Sequence, residues 1–188
     1  MEQKFISTIV IASEHIQLSR TREEDLDFVL TAEKDPENSK YVIVWPREKH
    51  VDTIQSDDTL HFIIHTKDSQ KVGYIILAGL LNSHRSVELV RINIVDKGRG
   101  YGKEAIRLLT HFVFEIVNAH RLWLDVKEHN LRAKHVYESA GFQVEGMLRE
   151  CIRTKDGYES LIIMGMLKHE YEYPSCRSFK IEYEGKRI

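Results

Sequence analysis

Three glycines fall within five residues in Lys97-Gly98-Arg99-Gly100-Tyr101-Gly102, between an apolar run and a strongly periodic helical segment. Glycine allows positive φ and a close approach of backbone to ligand. A strand-to-helix turn built this way leaves the first N–H groups of the helix free, and such groups bind phosphate. Lys97, Arg99, Lys103 and Arg107, against Glu104 alone, give residues 97–107 a net charge of +3 in a chain whose net charge is −2. A Walker loop would need GxxxxGK[ST], which is absent. A dinucleotide fingerprint needs G-x-G-x-x-G and an acid about twenty residues on. Asp125 lies at a fitting distance, but the spacing is G-x-G-x-G and the loop comes late in the chain. A plain strand-to-helix turn without a ligand is the remaining alternative.

Other reactive patterns are sparse. No Gly-x-Ser-x-Gly elbow offers a serine nucleophile. His61 and His65, in LHFIIHT, share one face of a strand by period two. Their H-x-x-x-H spacing would suit a metal only on a helix, so no metal site is expected. Cys151 and Cys176 make no disulfide framework, which fits a reducing compartment and a cytoplasmic protein. A net charge of −2 argues against nucleic acid or an anionic membrane surface as partner. No apolar run approaches the ~20 residues of a membrane span. At 188 residues with 42% hydrophobic and 30% charged content, the chain reads as one soluble domain over residues 1–168, with residues 169–188 as a tail.

The elements that must position the loop follow from periodicity. Residues 5–20 read as one or two strands about a turn at Ser13-Glu14-His15. Thr21 and Glu24 make a capping-box pattern for a helix over 22–34. Residues 39–57 read as one or two short helices with a loop. Strands follow at 60–66, 71–81 and 87–95. Ala105, Leu108, Leu109, Phe112, Val113, Ile116 and Val117 mark a helix over 103–119. A strand at 121–127 leads to a helix at 131–140, with Asn130 as N-cap and Gly141 beyond its end. Strands near 142–154 and 158–168 close the domain. This order predicts a mixed α/β fold with a parallel β-α-β crossover.

The loop resembles the (Gln/Arg)-x-x-Gly-x-(Gly/Ala) signature of the GNAT superfamily of acyl-CoA-dependent N-acyltransferases. Asn130-x-x-Ala133-x-x-x-Tyr137-Glu138-x-x-Gly141-Phe142 resembles the block after that family's fifth strand. Glu145-Gly146-x-Leu148-Arg149, Asp156-Gly157-Tyr158 and Met164-x-Met166 are similar to its ribosomal-protein and polyamine acetyltransferase branch. The likeness covers residues 15–168 and is strongest from 60. Two departures stand out: Lys97 replaces Arg or Gln, and the stretch from Glu88 to Lys97 is one residue short.

The resemblance implies a mostly antiparallel sheet with a V-shaped opening between the strands at 87–95 and 121–127. It implies that the pantetheine arm of acetyl-CoA lies along Arg91, Ile92, Asn93 and Ile94. The pyrophosphate would sit on Lys97, Gly98, Arg99, Gly100, Tyr101, Gly102 and Lys103. An acceptor amine would attack the acetyl carbon directly. Tyr137 stands where the family places the proton donor to the departing thiolate; by pattern alone it is a packed core tyrosine. Asn130 would lie near the pantetheine as well as capping its helix. Glu88 aligns with a glutamate of this branch, as a general base or as half of a strand-edge salt bridge.

The family also places the acceptor near the first helix and its following loop. Residues 23–37 carry seven acids and one base, a net charge of −6, and Glu33, Asp35 and Glu37 are the acids nearest the acceptor end. Deprotonating an α-amine at pH 7 costs about 1.4 kcal/mol and a lysine-like amine about 4.6 kcal/mol. A peptide or protein N-terminal α-amine is therefore the first expectation and a polyamine the second. A non-catalytic acyl-CoA-binding or interaction module on the same fold is the alternative of another class. The tail carries Phe179, Ile181 and Tyr183 in alternation, as an extra edge strand or a homodimer contact.

Overall fold

The structure is a computed structural model, and it describes residues 8–171 and 180–184. Among these, nine strands form one sheet in the order β7-β8-β6-β5-β4-β3-β2-β1-β9. The strands are β1 (Thr8–Ala12), β2 (Ile16–Arg20), β3 (Thr59–Thr66), β4 (Lys71–Ala78), β5 (Ser86–Ile94), β6 (Arg121–Lys127), β7 (Gln143–Thr154), β8 (Gly157–Leu167) and β9 (Lys180–Glu184). Neighbours pair antiparallel except β5 with β6, which is the parallel crossover. The tail segment within the described residues is β9, paired with the edge of β1.

Helices cover both faces. On one, α4 (Tyr101–His111) lies over Leu18, Phe62, Ile64 and Ile75. On the other, α1 (Leu26–Lys34) lies over Ile63, Tyr74 and Ile76. The alternation of Phe62 and Ile64 against Ile63 is the period-two rule of a strand buried on both faces. Two short helices, α2 (Pro36–Ser39) and α3 (Arg47–Gln55), follow α1, and α5 (Leu131–Ser139) follows β6.

Two local expectations are corrected. Thr21 does not cap the first helix. Its hydroxyl lies 2.8 Å from His61 Nδ1, and Asp25 instead accepts the Arg22 N–H at 2.8 Å. The chain enters α1 through a 3₁₀ turn at Glu23–Asp25. The long helix is also not uniform: α4 ends at His111, and residues Phe112–Ile116 form a π turn. Val117 N–H donates to Phe112 O, five residues back, at 3.1 Å. Phe112, Val113 and Phe114 are buried and continue the buried run that begins at Leu108 in α4.

Candidate active site

β5 and β6 pair only at Ser86–Arg121, Val87–Leu122 and Glu88–Trp123. Beyond that point Leu89 to Ile94 and Asp125 to Lys127 stand on opposite walls of a cleft of about 560 Å³. A bulge prepares the opening. The β4–β5 register passes from Ile76–Arg91 to Leu77–Leu89, so Val90 is an extra residue. The facing parity switches there. Val87 and Leu89, then Ile92 and Ile94, pack toward α4, while Arg91 and Asn93 are buried toward α1. Extra twist at a bulge turns the strand away from its neighbour and leaves its edge to a ligand.

The glycine loop sits at one end of this cleft. Gly98 and Gly100 hold φ of +89° and +84°, and a Cβ at either would meet nothing within 4 Å. Gly100 is the N-cap of α4 with no side-chain cap, so the first-turn N–H groups are left for a ligand. Lys97, Gly98, Gly100, Tyr101, Gly102 and Lys103 line the cleft, as does Arg132 from α5. Arg99 does not. Its guanidinium pairs with Asp96 at 2.9 Å. Lys97 donates to the Glu37 carbonyl at 3.1 Å. An uncapped helix start beside three cleft-lining cations suits a pyrophosphate. Gly100→Val would force a β-branched residue into positive φ and put methyl groups on the open side of the loop. The expected result is at least about tenfold weaker acetyl-CoA binding, about 1.4 kcal/mol, in a folded protein. Calorimetry showing parental affinity would remove the phosphate role from this loop.

At the vertex of the V three ionisable groups meet. Tyr137, only 8% exposed, comes from α5 and packs on Phe142 with ring centroids 6.0 Å apart. Asn130 starts that helix by accepting the Ala133 N–H at 3.2 Å, and it lines the cleft beside Tyr137. Burial, and then the charge of Asp125, raises the Tyr137 pKa. Asp125 opens onto the cleft from β6, and the walls around it raise its own pKa. Glu88 is half-buried on β5 outside the cleft lining; burial, then Asp125, raises its pKa. Asp125 is a cleft-lining carboxyl that was not among the expected site residues. Its signal was present: in RLWLDVK it is the one acid, on the face opposite Leu122, Leu124 and Val126.

Residues 15–143 match the Acetyltransferase (GNAT) domain, more than half of the chain. The chain belongs to the GNAT acetyltransferase family. Spermidine N(1)-acetyltransferase of Escherichia coli (strain K12) is 26% identical over 164 residues, covering 83% of this chain and 88% of the relative. Spermidine N(1)-acetyltransferase of Vibrio cholerae is 29% identical over 111 residues, covering 58% of this chain and 64% of the relative. A crystal structure of spermidine N-acetyltransferase from Vibrio cholerae in complex with CoA and spermine superposes with a TM-score of 0.76. It is 24% identical, over 82% of this chain and 96% of that one. The protein is thus an acetyl-CoA-dependent acetyltransferase, and its open mixed sheet is the GNAT fold. Among the described residues, no helix is long and apolar enough to cross a membrane.

In this GNAT chain the acidic segment is divided by its surroundings. Glu37 lines the cleft. Asp35 caps α2 by accepting the Glu37 N–H at 2.8 Å and does not line it. Glu33 is fully buried beneath the cleft. It pairs with Arg91 and accepts from Tyr74 Oη at 2.7 Å and from the Trp45 N–H at 2.8 Å. His50 Nε2 lies 3.3 Å away. The expected acidic wall is therefore Glu37 and Asp125, not Glu33, Asp35 and Glu37. The partners that bury Glu33 come from α3, β4, β5 and the loop at Trp45, and a local charge count cannot see them.

This buried cluster sets the acid limit of the fold. Burial alone would push the Glu33 carboxyl up; the adjacent His50 imidazole, hydrogen bonds from Tyr74 and the Trp45 N–H, and the Arg91 charge outweigh it and hold the pKa at about 2. Burial, then the neighbouring His50, pushes the His61 imidazole down to about 3. Both groups bind protons more weakly folded than unfolded, so their contribution is complete above pH ~6.5 and is lost as pH falls. The thermal midpoint is expected to drop first below about pH 6.5 through His61, then again from about pH 4.5 toward 2 through Glu33. Glu33→Gln should remove the second fall. A midpoint independent of pH from 7 to 4 would contradict this assignment.

Proposed function

We propose that the protein transfers the acetyl group of acetyl-CoA to a primary amine of a polyamine. The observation that carries the reading is Asp125, opening into the vertex of the cleft beside Tyr137, where an ammonium would approach. Glu37 adds a second carboxylate on the wall. Of the cleft lysines nearby, Lys127 is paired with Glu159 at 2.8 Å and donates to the Lys40 carbonyl at 2.9 Å, which reduces its opposition to a cationic guest. The curated relatives named for spermidine weigh toward a polyamine, ahead of the peptide α-amine that proton arithmetic put first.

Bound acetyl-CoA supplies the acetyl group as a reactive thioester. The exposed backbone edge of β5 would align its amide arm, and the loop at residues 97–103 would hold its phosphates. Asp125 takes one proton from the bound ammonium, which frees the lone pair that attacks the acetyl carbon; the second nitrogen proton leaves through water as the C–N bond forms. Tyr137 gives its proton to the sulfur as the C–S bond breaks, and solvent later reprotonates Tyr137. The products are an N-acetylated amine and CoA with a free thiol.

The test is a screen of acceptors with thiol release as readout, comparing spermidine and spermine with a basic peptide bearing a free N-terminus. The expected result is kcat/KM at least about tenfold higher for a polyamine, since a second ammonium can reach Glu37 while the first meets Asp125. A peptide turned over faster would reverse the assignment. No turnover with any amine, in a protein that binds acetyl-CoA, would favour a non-catalytic acyl-CoA-binding module.

A further inference from the structure

The segment between α2 and α3 forms the acceptor-side wall with Tyr41, Val42, Ile43 and Trp45, and most of it is neither helix nor strand. Ile43 is 62% exposed. Such a stretch needs outside contacts to hold one shape. Tyr41 packs on His129 and the Lys40 carbonyl accepts from Lys127, and the Ile43–Trp45 end is held by a buried ion pair. Arg91 Nη2 donates to the Ile43 carbonyl at 2.8 Å, and its guanidinium lies 4.3 Å from the centre of the Trp45 ring. Glu33 Oε2 accepts the Trp45 N–H at 2.8 Å. Lys49 Nζ also lies over the Trp45 ring, 3.8 Å from its centre.

Arg91 belongs to two sites at once. Its backbone is in the stretch of β5 that borders the cleft, and its side chain is buried on the opposite side, toward α1. Taking two charges out of water is costly, and a pair of matched apolar side chains would often serve stability as well. What apolar side chains could not do is fix one carbonyl, one N–H and one indole plane together. We propose that Arg91 and Glu33 are positioning residues that lock the Ile43–Trp45 wall to the cofactor strand and so set affinity for the acceptor, while the bound acetyl-CoA depends on neither side chain. This rests on the reading of the cleft as an amine acetyltransferase site.

Three variants test it. Arg91→Lys keeps a charge for Glu33 but loses the planar fork that spans Glu33, Ile43 and Trp45. Glu33→Leu combined with Arg91→Met removes both charges and leaves neither buried alone. In each, the acceptor KM is expected to rise at least tenfold, with kcat within about threefold and acetyl-CoA KM within about twofold of the parent. The third is Trp123→Phe, which leaves Trp45 as the single tryptophan of the two. Adding Arg91→Lys to it should red-shift the emission and raise acrylamide quenching, whether or not any amine is turned over. Parental acceptor KM in folded Arg91→Lys, equal rises in both KM values, or unchanged Trp45 emission would overturn the proposal. Absence of amine turnover in the parent would instead count against the acetyltransferase reading, and the emission measurement would still decide the positioning role.

Discussion

Tyr137→Phe is expected to lower kcat by about 10²–10⁴-fold while sparing acetyl-CoA affinity. The substitution removes one hydroxyl and keeps the ring that packs on Phe142. Burial and the Asp125 charge raise the Tyr137 pKa, so the resting group is the protonated phenol at every working pH. A tyrosine held that way is a poor acid until its surroundings change. In the proposed reaction the change comes with turnover: once Asp125 has accepted the proton of the amine, the charge that opposed a tyrosinate is gone. A sulfur losing its acyl group in an apolar cleft is also more basic than in water. On this proposal the two proton movements are coupled through one carboxyl. Parental kcat in a stable Tyr137→Phe protein would make Tyr137 a core residue and no more. A loss confined to the thermal midpoint would say the same.

The extent to which the sequence announces this site varies with how local the causes are. The glycine loop, the Asn130 cap and the helix that carries Tyr137 are set within a few residues, and they stand where periodicity and composition place them. Boundaries drift where the backbone does something unusual. α4 starts at Tyr101, two residues early, because Gly100 already sits in the left-handed region and ends the loop. The bulge at Val90 was not among the expectations, although the adjacent apolar pair Leu89 and Val90 breaks the alternation of 87, 89, 92 and 94. Its meaning, a strand leaving its partner, required the register with β4. Glu33 shows the opposite limit. In sequence it is one acid among seven. Its role depends on Arg91, Tyr74, His50 and the Trp45 N–H, brought together only by the fold.

Asp125→Asn is expected to lower kcat/KM about 10²–10³-fold, more than Glu88→Gln. The two carboxyls compete for the role of base. Glu88 has the family resemblance, but it is half-buried where β5 and β6 still pair, and it does not line the cleft. Asp125 stands where those strands have parted, close enough to Tyr137 and Glu88 for its charge to raise both. Its own pKa is raised by the walls around it, so a pH–rate profile should show an acid limb above the ordinary carboxylate value of about 3.9. The rate rises with pH through that limb, because the carboxylate is the form that accepts a proton. The profile of the variant then decides between the two groups. If Asp125 is the base, Asp125→Asn loses turnover across the whole range. If Glu88 is the base, the variant keeps its rate. The acid limb then moves to lower pH, because Glu88 is freed of a neighbouring negative charge. Retained turnover with a downward-shifted limb would return the role to Glu88 and leave Asp125 as an anchor for the ammonium alone, visible as a raised acceptor KM.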